Sequence, residues 1–597
     1  MRSYLLYILI LFFVACSSHQ QEDAELQLTI IHMNDIHSHL ESEKNTFTLY
    51  LEDNTTLSNI TMDVGGMARA VSQIKQLQNL YPNNLTLFGG DLIQGTLYFT
   101  LFEGNATLAM YNQIEWNGFE VGNHEWDEGD TFLNSLLNKI KTGVILAANI
   151  KPDGITMDVN RFQPYFIQEI DGKEVGVIGI DVVQKTEVSS DPSEHITFLP
   201  EKETAQKYID ELLGKGVDKI VLLTHIGYDN DLSFAKELHG VDVIIGGDSH
   251  TLMGDFSSIG LQSNINEYPK IVHNADGKNV CIAQAWSYSR VVGKLHIDFN
   301  DNGDVVKCFG DAILGVGEPF EQNGDVVDDT TYDKIINFIN NQSNIALLQK
   351  DTQALQMLQP YKEEISQQEQ EVIAYAKEYI SNNRIPYSDY DGHGALPHGS
   401  QLAPLVCKGF LEADKHGDIC IQNAGGVRIS LEEGNITIKT VYDILPFKNT
   451  LYELTMDASK IKQALEDGLN NYLDDGGSTG SFPYAYNLRY DINTSQTRNN
   501  RVSHIEYRNK ETLEWQPLDA NKSYIVITHS YLASGHDGYT TFANVSQING
   551  VNTYIDYAMS FVKYLELETQ KGNQIETLPL EELPVQCFID ATHTQCP

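Results

Sequence analysis

Positive charge is what this sequence has least of. Its 597 residues carry 40 Lys and Arg against 82 Asp and Glu, a formal net charge of −42. That balance argues against nucleic acid or an anionic membrane face as the main partner, because both would be repelled. A phosphate-bearing substrate would have to be met by local positive charge, such as bound cations, rather than by the overall field. Cysteine is also sparse, with seven in all and none at the close spacing of a thiolate metal site. Long apolar runs are missing outside the N-terminus, and the acidic stretch beyond Phe561 holds no segment that could act as a C-terminal anchor. The one apolar run, Tyr4–Val14, follows Arg2 and is too short to span a bilayer comfortably, which is the pattern of a targeting segment.

What is present describes a globular chain. Hydrophobic residues make up 41% and charged residues 20%, and the length is too great for one core, so two substantial domains are expected. Beyond Cys16, the cysteines are Cys281, Cys308, Cys407, Cys420, Cys587 and Cys596. An even number in an exported chain points to disulfides. Pairing sequence neighbours (281 with 308, 407 with 420, 587 with 596) closes three short loops and is one connectivity among those that six cysteines allow.

From Leu26 to about Gly293 the chain alternates apolar strands with helical patterns. Strands are expected at Leu28–His32, Leu85–Phe88, Val144–Ala148, Val175–Ile180, Lys219–Leu223 and Val241–Ile245. Helices are expected at Met67–Leu80, Phe132–Lys141 and Glu203–Leu213. Such alternation implies βαβ units in layered sheets, with functional residues gathered outside the strand C-termini. Those positions hold Asn34-Asp35-Ile36-His37, Gly89-Gly90-Asp91, Gly122-Asn123-His124-Glu125-Trp126-Asp127, Thr224-His225-Ile226-Gly227 and Gly246-Gly247-Asp248-Ser249-His250. Any one of them reads equally well as a cap or turn. Five acid, His or Asn clusters directly after apolar strands are improbable as coincidence. Together they supply the carboxylate, imidazole and amide groups that hold divalent cations, and Asp127 stands where it can orient His124.

In this order the motifs resemble the calcineurin-like metallophosphoesterases. Asn-His-Glu-x-Asp narrows the resemblance to the exported 5′-nucleotidase and UDP-sugar hydrolase family, over nearly the whole chain after the signal. The resemblance implies an α/β fold: an N-terminal four-layer α/β/β/α metallophosphoesterase domain and a C-terminal α/β nucleotide-binding domain joined by a helical linker. It implies two divalent metal ions, with Asp35 and His37 on one, Asn123 and His225 on the other, and Asp91 bridging both. Asp248 and His250 take the places of the family's last ligands. Asp248 stands where the family usually has His, a harder donor that leans towards Mn²⁺ or Mg²⁺ relative to Zn²⁺. His124, oriented by Asp127, is the implied catalytic pair.

Between about Asp328 and Ile380 the sequence turns rich in Gln, Glu and Lys, with helices expected at Tyr332–Gln349 and Tyr361–Ile380. Further on, Gln422-Asn423-Ala424-Gly425-Gly426-Val427-Arg428, Leu445-Pro446-Phe447-Lys448-Asn449 and Tyr531 through Gly538 offer a guanidinium, two aromatic faces, amides and a carboxylate. By resemblance, Phe447 and Tyr531 sandwich a base, Arg428 faces the phosphate, and Asn423, Asn449 and Asp537 make polar contacts. Where relatives carry an additional Arg, this chain reads His393-Gly394-Ala395-Leu396-Pro397-His398, so a permanent positive charge is missing, and His393 or His398 substitutes in part. This departure and Gly-Asp-Ser-His point towards the bacterial NAD nucleotidase branch.

The expected organisation is a lipoprotein-type signal at 1–16 with Cys16 lipidated, a metallophosphoesterase domain at 25–328, a linker at 329–365, a substrate-binding domain at 366–565 and an acidic, disulfide-closed tail at 566–597. The expected function is hydrolysis of nucleoside 5′-monophosphates together with cleavage of NAD or related dinucleotides. UDP-sugar hydrolysis, 2′,3′-cyclic-nucleotide hydrolysis and a non-catalytic nucleotide-binding lipoprotein stay open. The expected partners are a small nucleotide and no nucleic acid, with membrane contact only through the N-terminal lipid. A monomer or dimer in the periplasm or outer membrane of a Gram-negative bacterium is expected.

Overall fold

The computed structural model describes residues 24–597 except 191, 369, 390–392, 448, 511 and 597. The expected signal segment and Cys16 lie outside the described residues. Among the described residues no helix is long and apolar enough to cross a membrane.

Two sheets face one another in the first half. One has ten strands and follows the order Glu43–Tyr50, Thr56–Val64, Val305–Gln322, Val291–Phe299, Leu26–Met33, Asn84–Gly89, Gly118–Glu120 and Val144–Leu146, with two short strands appended to Val305–Gln322. The other has six, in the order Lys270–His273, Asn279–Ala283, Val243–Ile245, Ile220–His225, Lys173–Asp181 and Tyr165–Ile170. Alternate apolar residues of both sheets meet between them, with Leu28, Ile30 and Leu87 packed in one cluster with Val177, Val221 and Val243. The outward faces carry helices. Met67–Leu80 covers the first sheet, and Glu201–Gly214 with Tyr228–Glu237 covers the second. This is the expected α/β/β/α layering, and it follows because both faces of each sheet are apolar and must be covered.

The second half has its own core around a five-stranded sheet ordered Pro483–Tyr486, Ile419–Asn423, Ser523–His529, Thr450–Asp457 and Gly550–Asp556. Beside it lies a four-stranded sheet whose edge strand, Val585–Ile589, comes from the stretch expected to be an acidic, disulfide-closed tail. All three sequence-neighbour disulfides form: Cys281–Cys308, Cys407–Cys420 and Cys587–Cys596.

Two helix expectations need correction. The first helix ends at Asn340, and Ile345–Leu347 is a strand paired in parallel with Leu314–Val316. The second runs Thr352–Gln368, and Val372–Ala376 is a strand against Gly434–Thr437. Both strands are short apolar runs that continue a helical composition, so only their pairing partners decide their state. Helix Thr352–Gln368 also buries Ala354, Leu358 and Ile365 against the first half, so this segment, expected as a linker, is part of that layer.

Candidate active site

The parallel strands Leu26–Met33, Asn84–Gly89 and Gly118–Glu120 in one sheet, and Ile220–His225 with Val243–Ile245 in the other, deliver their C-terminal ends to one crevice. His250 Nε2 lies 3.4 Å from Asp35 Oδ1 and 2.9 Å from His37 Nε2. His37 Nε2 is 3.5 Å from Asp91 Oδ2, which is 3.0 Å from His225 Nε2. His225 Nε2 is in turn 3.9 Å from Asp248 Oδ1. Side chains from positions 35 to 250 therefore face one space, with Asp91 between the two histidine groups. Asp35, His37, Asp91, Asp248 and His250 all have positive φ, between 47° and 74°. Non-glycine residues adopt that conformation at a cost and hold it where the surroundings over-determine them.

The surroundings are visible. Glu125, fully buried, accepts hydrogen bonds from the backbone N–H groups of Asp91, Leu92 and Gly122 at 2.7–3.0 Å, clamping the Asp91 loop onto the Asn123 turn. Burial and the neighbouring Asp91 charge push its carboxyl up to about 7. Gly122 is required there, because a Cβ would strike Asp91 and His225. His225 Nδ1 bonds the Gly89 carbonyl at 2.7 Å, which leaves Nε2 turned to the crevice. Asn34 holds Asp35 and anchors to the Trp286 carbonyl at 2.8 Å.

Several buried polar atoms facing the crevice lack a hydrogen-bond partner: both amide atoms of Asn123 and His124 Nε2, while Asp91 Oδ2 and His225 Nε2 meet chiefly each other at 3.0 Å. Buried polar atoms are costly to leave unpaired. The donor set is carboxylate, imidazole and amide, with no thiolate, and it fits divalent cations of hard to borderline character. Burial pushes the His37 imidazole down to about 3, so it is neutral and free to donate a lone pair. Asp91 pays for its burial, yet His225 and His124 hold it well below the usual carboxylate range.

His124 is placed by the turn 123–126. Its Nδ1 is 2.6 Å from Asp127 Oδ2, which fixes the ring and points Nε2 at the same space. Burial opposes its charged form, but Asp127 and Asp91 outweigh that and raise it above the ordinary value.

Two crevice residues escaped the sequence reading. Lys185, from helix Val183–Ser189, forms an ion pair with Asp248 Oδ1. Tyr554, from strand Gly550–Asp556 of the second half, inserts its ring over the centre. The ring lies 4.5 Å from His250, 5.1 Å from His37 and 5.2 Å from His124 between centroids. Its hydroxyl donates to the Asp248 carbonyl at 2.8 Å, and Lys185 Nζ is 4.4 Å from its ring centre. No local pattern marks either residue.

A second cleft, of about 300 Å³, lies in the C-terminal half. Its walls include Asn423, Arg428, Phe447, Asn449, Tyr531 and Asp537, all six of the residues named above for substrate contact. Phe447 and Tyr531 are 44% and 40% exposed, so their faces are open to a planar ligand. Asn423 Nδ2 donates to Asp537 Oδ2 at 2.7 Å, and the Tyr531 hydroxyl donates to Asp537 Oδ1 at 3.1 Å. Arg384 also lines this cleft, which corrects the expectation of a missing permanent charge. His393 instead stacks on Tyr379 and His398 bonds the Val585 carbonyl; neither lines the cleft.

Residues 28–252 match the calcineurin-like phosphoesterase model, and residues 380–544 match the 5′-nucleotidase C-terminal domain model. The NAD 5′-nucleotidase of Haemophilus influenzae is 36% identical over 566 residues, which is 92% of this chain and 91% of that one. The chain belongs to the 5′-nucleotidase family. The solved structure of Haemophilus influenzae NAD nucleotidase superposes with a TM-score of 0.84 at 34% identity, covering 94% of this chain and 99% of that chain. A 5′-nucleotidase precursor from Thermus thermophilus superposes with a TM-score of 0.56 at 30% identity, over 94% and 99% of the two chains. A family member with this centre is a hydrolase of the metallophosphoesterase class.

Proposed function

We propose that this protein is an exported nucleotide hydrolase that removes the 5′-phosphate of nucleoside monophosphates and also splits the pyrophosphate of NAD to yield NMN and AMP. The single observation that carries the reading is the set of buried donor atoms on Asp91, Asn123 and His225, those of Asn123 without any partner, gathered beside the Asp35–His37–His250 group. In this reading Asp35, His37 and His250 would hold one divalent ion, Asn123, His225 and Asp248 would hold the other, and Asp91 would be shared. When bound, such a pair neutralises phosphoryl oxygens and acidifies a water for in-line attack on phosphorus. Zn²⁺, Mn²⁺ and Mg²⁺ all suit these donors.

The residues do the rest. His124, held by Asp127, presents Nε2 to the leaving oxygen and stabilises or protonates it. The C-terminal cleft takes the nucleoside, with Phe447 and Tyr531 on the base, Asp537 and Asn423 on ribose hydroxyls, and Arg428 with Arg384 on the phosphate side. Those two guanidinium groups, together with Lys185 at the centre, supply separate cations for a substrate carrying two phosphoryl groups. This supports the dinucleotide reading, as does the relative whose name is NAD 5′-nucleotidase.

The test is phosphate or mononucleotide release from AMP, NAD, UDP-glucose and 2′,3′-cyclic AMP, each with and without EDTA. Metal-dependent release from AMP and NAD is expected to exceed the other two. No metal-dependent release from any of them would overturn the reading, and turnover of UDP-glucose alone would move it to a sugar-nucleotide hydrolase. The leader sequence supports export, with lipidation at Cys16 and a Gram-negative envelope as the finer proposal; mass spectrometry of the mature N-terminus decides it.

A further inference from the structure

Away from both clefts, helix Leu402–Ala413 ends at Asp414, whose side chain lies near strand Thr450–Asp457 of the five-stranded sheet. There it meets Glu453. The two carboxylates are 95% and 94% buried, and His416 lies beside them. His416 Nδ1 is 3.1 Å from Glu453 Oε1 and 3.9 Å from Asp414 Oδ1. Asp414 Oδ2 is buried with no hydrogen-bond partner. Among the described residues no Lys or Arg nitrogen lies within 4.0 Å of either carboxylate. Lys510 directs its ammonium to the carbonyls of Lys415 and His416.

Two carboxylates taken out of water side by side need a positive partner. A shared proton is one solution, and burial with the Glu453 charge does push Asp414 up to about 7. A proton leaves above that range, while His416, about half exposed, stays at the mouth with a ring nitrogen turned inward. The loop is also held rigid, because the Cys407–Cys420 disulfide spans both Asp414 and His416.

We propose that Asp414, His416 and Glu453 form a structural divalent-cation site, distinct from the catalytic centre, that ties the end of helix Leu402–Ala413 to strand Thr450–Asp457 of the C-terminal sheet. One imidazole and two carboxylates suit Zn²⁺ or Mn²⁺, with water completing the shell on the open His416 side. Bound metal would neutralise the buried pair and lock the helix against the sheet that builds the nucleoside cleft.

The test is equilibrium dialysis of the full chain against Zn²⁺ alone and Mn²⁺ alone, followed by metal analysis. Wild type is expected to hold one equivalent more than His416→Ala and Glu453→Gln, while all three hydrolyse AMP at rates within about twofold. Added metal should also raise the melting temperature of wild type further than that of either variant. Equal metal content in the three proteins would overturn the site and leave a shared proton as the compensation. His416→Ala removes a half-exposed side chain, so it reports on metal even if Glu453→Gln fails to fold.

Discussion

At the scale of single residues, function rests on atoms that are expensive to keep as they are. Asp91 is buried and strained, and it lies between two histidine groups. Asp91→Ala should reduce hydrolysis by about 10³-fold or more, since removing one electrostatic contact to the transition state already costs that order. Its thermal unfolding should stay cooperative, because the Glu125 clamp engages the backbone of this loop rather than the Asp91 side chain. Retained activity would remove the shared-ligand role. In the other cleft, Phe447→Ala should raise KM for AMP about tenfold, the effect of losing one aromatic face worth about 1–3 kcal/mol per base. KM for p-nitrophenyl phosphate should barely move. Equal effects on both substrates would mean that the ring does not stack a base. These residues were legible in the sequence because their chemistry is carried by short motifs at strand ends. Arg384 was not, since it lies outside the quoted motifs and reaches the cleft only through the fold.

At the scale of elements, long and strongly periodic segments were read to within a few residues: Met67–Leu80 is a helix over that whole range. The failures are short. Ile345–Leu347 and Val372–Ala376 extend helical compositions and become strands because Val305–Gln322 and Gly434–Thr437 offer open edges. The Cys407–Cys420 bridge fastens helix Leu402–Ala413 to strand Ile419–Asn423, with both sulfurs in the core. Closing a loop of this size is worth about 3 kcal/mol in the chain-entropy account. Replacing both cysteines with Ala should therefore lower the melting temperature of the C-terminal half by several degrees, read by calorimetry. An unchanged transition would show that the helix is held by packing alone.

At the scale of the whole molecule, the decisive feature is the contact between halves. Tyr554 lies over the space that His37, His124 and His250 surround, which is where the proposed reaction would place a phosphoryl group. In the proposed reaction this ring would have to leave for substrate to enter. Burying an aromatic side chain is worth about 1.5–3 kcal/mol, so Tyr554→Ala should raise kcat/KM for a small phosphoester by about tenfold. Nucleotide turnover should change less, because the C-terminal cleft that holds nucleotides in place is untouched. A fall in small-phosphoester turnover would mean that Tyr554 helps catalysis instead of blocking access.

The sequence by itself determined the layered α/β class, the family and the groups available at each strand end, because strand periodicity and side-chain chemistry are local properties. It also determined the net negative charge that makes local cations necessary. Tertiary structure alone decided that Lys185 would pair with Asp248, 63 residues away, and that Tyr554 would bond the Asp248 carbonyl across 306 residues. Such partnerships leave no trace in the neighbouring sequence, since they arise when separate cores pack and bring surfaces together that the chain order keeps apart.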